Sequence, residues 1–341
     1  MKEHSELGGV APVRTVTLED VARLAGLSPM TVSRAINKPQ VVRPATVARV
    51  MAAIQATGYI PNLLAGGLAS RRTRLIAVVV PQINNSMFVD TVQAISDRLA
   101  ARGYQMLLCV TGYSSDNEAE TVNTILSRRP DGMVLTGIHH HAELRKTLLN
   151  AALPLVEIWD LTPTPLDMLV GFSHEKIGQR IGEYCLQRGY RSLGLVWAGD
   201  RRAQLRRRAL AEVLQGQPGC RLQGVNAPVP TSLGAGRQGL SQLLAAGQRF
   251  DAIVCSSDTL AQGVIMEAQA RGLRVPEDLA VIGFGDLAFA EHNQPAITTV
   301  AIDRLKMGEL AATLLADKIE GQAPAEAVVD LGFTLRVRES G

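Results

Sequence analysis

Aromatic side chains are scarce, at 4% of 341 residues, so the core must be built from Leu, Val, Ile and Ala. Cysteine is scarcer still. Cys109, Cys185, Cys220 and Cys255 lie far apart and form no CxxC pair, which argues against a zinc ribbon or a disulfide framework and fits a reducing compartment. No run of eighteen apolar residues occurs, so no membrane-spanning helix is expected. The N-terminus, MKEHSELGGVAPVR, lacks the apolar segment of a secretory signal, and a cytoplasmic location is the expectation. No GxSxG, HExxH or P-loop is present, so neither catalysis nor a cofactor is expected. His139-His140-His141 is the one metal-like tract; adjacent histidines at a strand-to-helix turn are expected to be solvated, and no metal site is assigned.

What is present begins with an uneven charge. Residues 1–74 hold ten Lys or Arg against four acids, a balance of +6; the remainder holds 25 bases against 28 acids, or −3. A basic head on a slightly acidic body points to an anionic polymer bound at one end.

The head, 15–60, reads as three helices after a flexible segment, 1–14. Thr17 and Asp20 have capping-box spacing, and Leu18, Val21, Ala22 and Ala25 form one helical face. Gly26 breaks that helix; Ser28 caps the next, with Pro29 at its first position, where a missing N–H costs nothing. A third helix is expected over about 44–57, with Val47, Val50, Met51 and Ile54 on its apolar side. A tight Gly-containing turn between the first two makes a helix-turn-helix. Its second helix exposes Pro29, Met30, Thr31, Ser33 and Arg34. In a major groove Arg34 suits a guanine edge or a phosphate, and Met30 a thymine methyl.

TLEDVARLAGLSPMTVSRAIN followed by GYIPN resembles the head of the LacI/GalR family of bacterial transcriptional repressors, and the similarity runs from about Thr15 to the C-terminus. The resemblance implies double-stranded operator DNA as partner, with Thr17, Pro29, Met30, Thr31, Ser33, Arg34 and Asn37 as contacts. It also implies that 61–74 is a hinge that folds into a short helix in the minor groove, where Leu68 would wedge between base pairs with Asn62 and Ala69 beside it. Here the hinge carries Gly66-Gly67, each costing a helix about 1 kcal/mol relative to alanine. Its folding should therefore depend strongly on DNA.

From Leu75 the pattern changes to short apolar strands alternating with helices, the mark of βαβ units and a parallel sheet. LIAVVVP, YQMLLCV, DGMVLTG and LPLVEIWD form a first run. After LTPTPLD, a second run comprises MLVGF, SLGLVWAG, RLQGV, DAIVCSS and LAVIGFG. The expected architecture is an all-α helix-turn-helix head plus, over 75–341, a two-lobed α/β core. By resemblance the core is periplasmic-binding-protein-like, with its ligand at the carboxyl ends of the strands.

Those strand ends deliver Asn84, Asn85, Phe88, Thr136, Glu157, Trp159, Asp160, Arg202, Arg206, Ser257, Asp258, Phe284 and Asp286. Carboxylates and amides suit the hydroxyls of a polyol, an aromatic face suits its carbon skeleton, and an arginine suits a carboxylate. By resemblance, effector contacts fall on Phe88, Trp159 and Asp160, Arg206, Asp258, and the loop at Gly285 and Asp286. YIPN, NNSMF, LVEIWD, VGFSHE and LGFTL are most similar to the gluconate-repressor branch. That likeness implies gluconate or a relative such as 2-ketogluconate or 6-phosphogluconate as effector; a neutral sugar or a purine stays open, as does a small-molecule-binding protein whose basic head serves another partner. A homodimer is expected, and the lack of a heptad tail after LGFTLRVRESG favours it over a tetramer.

Overall fold

The computed structural model describes residues 15–60, 72–113, 115–245 and 247–341. The chain divides into two compact units at Thr73/Arg74. Asn62, Leu68 and Ala69, assigned to a hinge from the sequence, lie outside the described residues, as does 1–14.

In the first unit, α1 (Leu18–Ala25) starts at a complete capping box: Thr17 N–H donates to Asp20 Oδ2 at 2.9 Å and Asp20 N–H to Thr17 Oγ1 at 3.4 Å. Gly26, at φ 61°, ends it in the left-handed region, which glycine enters without strain. α2 (Pro29–Asn37) follows under a Ser28 cap, then a 3-10 turn at Pro39–Val41 and α3 (Pro44–Thr57). Val21, Ala22, Ala25, Val32, Ala35, Val50 and Ala53 close a small core of aliphatic side chains. The helix boundaries agree with the spacing argument.

The second unit holds two parallel sheets. The first has the order β11-β5-β4-β3-β1-β2, built from β1 (Leu75–Val80), β2 (Gln105–Val110), β3 (Gly132–Thr136), β4 (Leu155–Ile158), β5 (Met168–Gly171) and β11 (Val328–Asp330). The second has the order β7-β6-β8-β9, from β6 (Ser192–Ala198), β7 (Arg221–Ala227), β8 (Ala252–Cys255) and β9 (Ala280–Ile282). An antiparallel pair, β10 (Thr299–Ala301) and β12 (Thr334–Arg336), lies apart. The helices are α4 (Ser86–Ala101), α5 (Ser115–Ser127), α6 (Ala142–Ala151), α7 (His174–Gln187), α8 (Arg201–Leu214), α9 (Leu233–Ala245), α10 (Asp258–Ala270) and α11 (Arg304–Ile319).

Two lobes are present, but the chain crosses between them differently from the sequence expectation. β5, expected to open the second run, pairs in parallel with β4: Val156 with Met168, Ile158 with Val170. It therefore belongs to the first sheet, although only a turn-rich segment separates the two strands. α11 and β11, which follow the second sheet in sequence, return to the first lobe. α11 packs on α4, β3, β4 and β5, and β11 pairs with β5. A strand's apolar pattern records that it is buried; its sheet is decided by register with a neighbour.

α7 and α8 pack closely because Gly178 has no side chain: a Cβ there would lie 2.1 Å from the Arg206 carbonyl oxygen. This contact sets His174, one turn earlier on α7, against the Arg206 side chain on α8.

Candidate functional site

On α2 the outward side chains are Pro29, Met30, Arg34 and Asn37, all exposed, with Met30 at 70%. Thr31 and Ser33 are half-buried. Three of the expected contacts also shape the helix. The Ser28 hydroxyl accepts from the Thr31 N–H at 3.2 Å and shares a hydrogen bond with the Thr31 hydroxyl at 2.9 Å. Asn37 Nδ2 donates to the Ser33 carbonyl at 2.9 Å. Thr17 is exposed, its hydroxyl donating to Asp20 Oδ2 at 2.8 Å. Arg34 and Met30 remain as the long side chains that extend from this face.

In the body the carboxyl ends of β1–β4 face those of β6–β9 across a cleft with two chambers. The outer, of 530 Å³, is lined by Thr111, Thr136, His139, Asp160, Gly199 and Arg201 among others. The inner, of only 60 Å³, is lined by Asn85, Phe88, Trp159, His174, Arg206 and Phe284 among others. Tyr113, Asp200, Arg202 and Val229 border both and form the neck.

Arg206 is the centre of the inner chamber and is 4% exposed. One terminal nitrogen donates to His174 Nδ1 at 3.0 Å, the other to the Ser256 carbonyl at 3.1 Å, and the guanidinium lies 3.8 Å over the Phe284 ring. Its Nε has no hydrogen-bond partner among the described residues. Burial lowers the Arg206 pKa to about 10, against the pull of Asp200. His174 Nε2 donates to the Trp159 carbonyl at 3.0 Å, which leaves Nδ1 as the acceptor that Arg206 needs. Burial, then the Arg206 charge, hold His174 well below its ordinary pKa, so the ring is neutral.

Trp159 stands at φ 70°, a left-handed conformation that a bulky residue adopts only when its surroundings over-determine it. The ring packs edge-on to Phe88 at 5.2 Å and to Phe172 at 5.7 Å, and its Nε1 has no partner among the described residues. Arg202 lies 5.6 Å over Phe88, with one buried terminal nitrogen likewise without a partner. Burial raises the Asp160 pKa to about 7, with Arg202 opposing. Asn85 caps α4, its Oδ1 accepting from the Met87 N–H at 3.1 Å. The Thr136 hydroxyl donates to the Val79 carbonyl at 2.9 Å.

Nine of the thirteen strand-end residues named from the sequence therefore line it: Asn85, Phe88, Thr136, Trp159, Asp160, Arg202, Arg206, Ser257 and Phe284. Asn84, Glu157, Asp258 and Asp286 are not on its walls, which corrects the sequence assignment. Glu157 is fully buried behind the outer chamber and accepts from the Leu166 N–H at 2.7 Å. Asp258 accepts from the Leu287 N–H at 2.7 Å and the Thr299 hydroxyl at 2.5 Å, tying α10 to the segments after β9. Asp286 accepts from Arg338 at 2.7 Å, beside β12. Each carboxylate is occupied by the fold itself.

The histidine tract also differs from expectation. His139, at the rim of the outer chamber, and His141 are exposed, but His140 is not. His140 is buried between Glu118, 2.9 Å from Nδ1, and Glu157, 3.4 Å from Nε2. Burial opposes its charge, but hydrogen bonding to the two carboxylates outweighs burial and raises His140 to about 9. His141 caps α6 through Nδ1. Among the described residues no cluster of His, Cys, Asp or Glu could hold a metal. The sequence reading missed His174, Tyr113, Asp200 and Ser256. The position of His174 directly after a buried strand and a Ser173 cap was the available signal, the same logic that found Trp159 and Arg206.

Two α/β lobes meeting at a cleft with unpaired buried donors, in a chain that also carries a helix-turn-helix, define a ligand-responsive regulator class. Comparison with known proteins agrees. Residues 17–62 match the bacterial regulatory proteins of the lacI family, and 183–341 match a periplasmic binding protein-like domain. The HTH-type transcriptional regulator GntR of Pseudomonas aeruginosa is 34% identical over 327 residues, 95% of each chain. The crystal structure of a LacI family regulator from Silicibacter pomeroyi superposes with a TM-score of 0.90 at 31% identity, covering 95% of this chain and 99% of that one. The lac repressor dimer bound to operator gives 0.81 at 25%, covering 96% and 99%. The chain belongs to the LacI family of bacterial regulatory proteins.

Proposed function

We propose that this protein is a transcriptional repressor that binds a palindromic operator as a homodimer and leaves it when a sugar acid, gluconate or a close relative, occupies the cleft. One observation carries the effector reading. Among the described residues, Trp159 Nε1, Arg206 Nε and a terminal nitrogen of Arg202 are buried N–H donors without partners, all on residues lining the inner chamber or its neck. Buried donors left unpaired cost about 1–3 kcal/mol each, more when charged, so they favour an acceptor-rich anion. Asp160 and the threonine oxygens supply acceptors for its hydroxyls.

The operator reading is supported by α2, with Met30 and Arg34 outermost, and by the family. Two heads related by a two-fold axis suit a palindrome. If effector weakens operator binding, operator must weaken effector binding by the same factor. The test is a salt-controlled titration of a palindromic promoter fragment with and without gluconate. Operator affinity that gluconate leaves unchanged would sink the effector assignment. A second reading, a neutral sugar or planar purine, draws on the Phe88–Trp159 aromatic pair. A thermal-shift screen in which such ligands stabilise the protein and sugar acids do not would favour it.

A further inference from the structure

The two chambers of the cleft differ in hydrogen-bond sense as well as in size. The inner chamber presents donors: Trp159 Nε1 and Arg206 Nε, both buried and unpaired among the described residues. The outer chamber presents both senses, with the donors Arg201 and Arg202 beside a set of acceptors. Thr136 has already donated its hydroxyl proton to Val79, and Thr111 donates to the Gly112 carbonyl at 3.1 Å, so both oxygens can only accept from a ligand. The Asp160 and Glu118 carboxylates add further acceptors on the same wall. A sugar acid has the matching asymmetry, since its carboxylate only accepts while its hydroxyls both donate and accept.

From this match we propose that the effector lies end-on, carboxylate inward, and that the outer chamber is a subsite for a glycosyl substituent on the hydroxyl end of an aldonic acid. The proposal rests on the sugar-acid reading above and extends it. Volume supports it: the outer chamber holds 530 Å³ against 60 Å³ for the inner, more room than the far end of a six-carbon chain uses. A second sugar brings additional hydroxyls, which donate to these acceptors and accept from Arg201 and Arg202. Gly199, on this chamber's wall, leaves open space where a Cβ would stand and keeps an unstrained backbone.

The test is calorimetric titration of the full-length protein with gluconate, gluconamide and lactobionate, a gluconate carrying a galactosyl group. Lactobionate should bind within about tenfold of gluconate, and gluconamide about a hundredfold more weakly. Gly199→Phe should shift the lactobionate-to-gluconate affinity ratio by about tenfold or more against lactobionate, with Ile138→Trp repeating the test from another part of the wall if the first variant unfolds. Gluconate binding with lactobionate excluded would overturn the subsite and leave the sugar-acid reading intact, as would an unchanged ratio in a folded variant. Gluconamide binding as well as gluconate would overturn the inward carboxylate. Failure of all three ligands would sink both readings together.

Discussion

The outward face of α2 comes from nine consecutive residues, while the cleft gathers its walls from the ends of strands spread over some two hundred positions. On α2 the backbone does the positioning. A helix with a Ser28 cap and Pro29 at its start projects Met30 and Arg34 whatever lies beyond the small core beneath it. In the cleft no single element positions anything. Arg206 is aimed by His174 and the Ser256 carbonyl, and His174 by the Trp159 carbonyl. The Trp159 backbone is itself held at a positive φ. A surface of the first kind tolerates change at one residue; a chain of the second kind passes it on.

That contrast can be tested at four points. Arg206→Ala should have the largest effect. It removes the buried guanidinium and leaves His174 Nδ1 and the Ser256 carbonyl without their donors, at about 1–3 kcal/mol per orphaned group. Effector affinity should fall by about a hundredfold or more, with operator binding retained, as read by calorimetry and by mobility shift. An effector response that survives would mean the ligand does not reach the inner chamber.

His140→Gln comes next, because it leaves Glu157 buried beside no positive charge; a loss of about 3 kcal/mol is expected in denaturant unfolding. The pH dependence supplies a second reading. His140 is raised from 6.5 to about 9, so the folded state holds its proton more tightly than the unfolded chain. That stabilisation is complete below about pH 6.5 and is lost as pH rises through about 9. Asp160, raised from 3.8 to about 7, acts in the same direction but over a lower window. The wild type should therefore lose stability between pH 7 and 9, and the variant should be flat there; equal slopes would exclude His140 as the cause.

Arg34→Ala should weaken operator binding by about ten- to a hundredfold without altering effector affinity. Unchanged operator affinity would count against the reading of α2. Smallest of all, Thr17→Ala should cost about 1 kcal/mol by removing a side chain from the capping box. A larger loss in operator affinity than in stability would show that Thr17 also touches DNA.

The helix-turn-helix was legible because each of its signals acts within one turn. The Thr17–Asp20 spacing, Gly26 and the Ser28-Pro29 pair all appear as read. The strand-end rule found Trp159, Asp160, Arg202 and Arg206, since a buried run followed by polar residues marks where a side chain emerges. The same rule failed for Asp258 and Asp286, which emerge at strand ends but meet Thr299 and Arg338 from segments far along the chain. It failed for His140 for the same reason. Three adjacent histidines look solvated until Glu118 and Glu157 are brought in from other elements.

By itself, then, the sequence determined the helical head, the alternation of strands and helices, and the set of strand ends from which a binding cleft is made. These depend on periodicity, capping and burial, all of which act over a few residues. The tertiary structure decided the rest. It paired β5 with β4, returned α11 to the first lobe, set Arg206 on His174, and divided the cleft into an inner chamber with unpaired donors and an outer one lined by donors and acceptors together. Which lone pairs and N–H groups remain open to a ligand depends on which are already taken by distant parts of the chain, and only the folded geometry settles that.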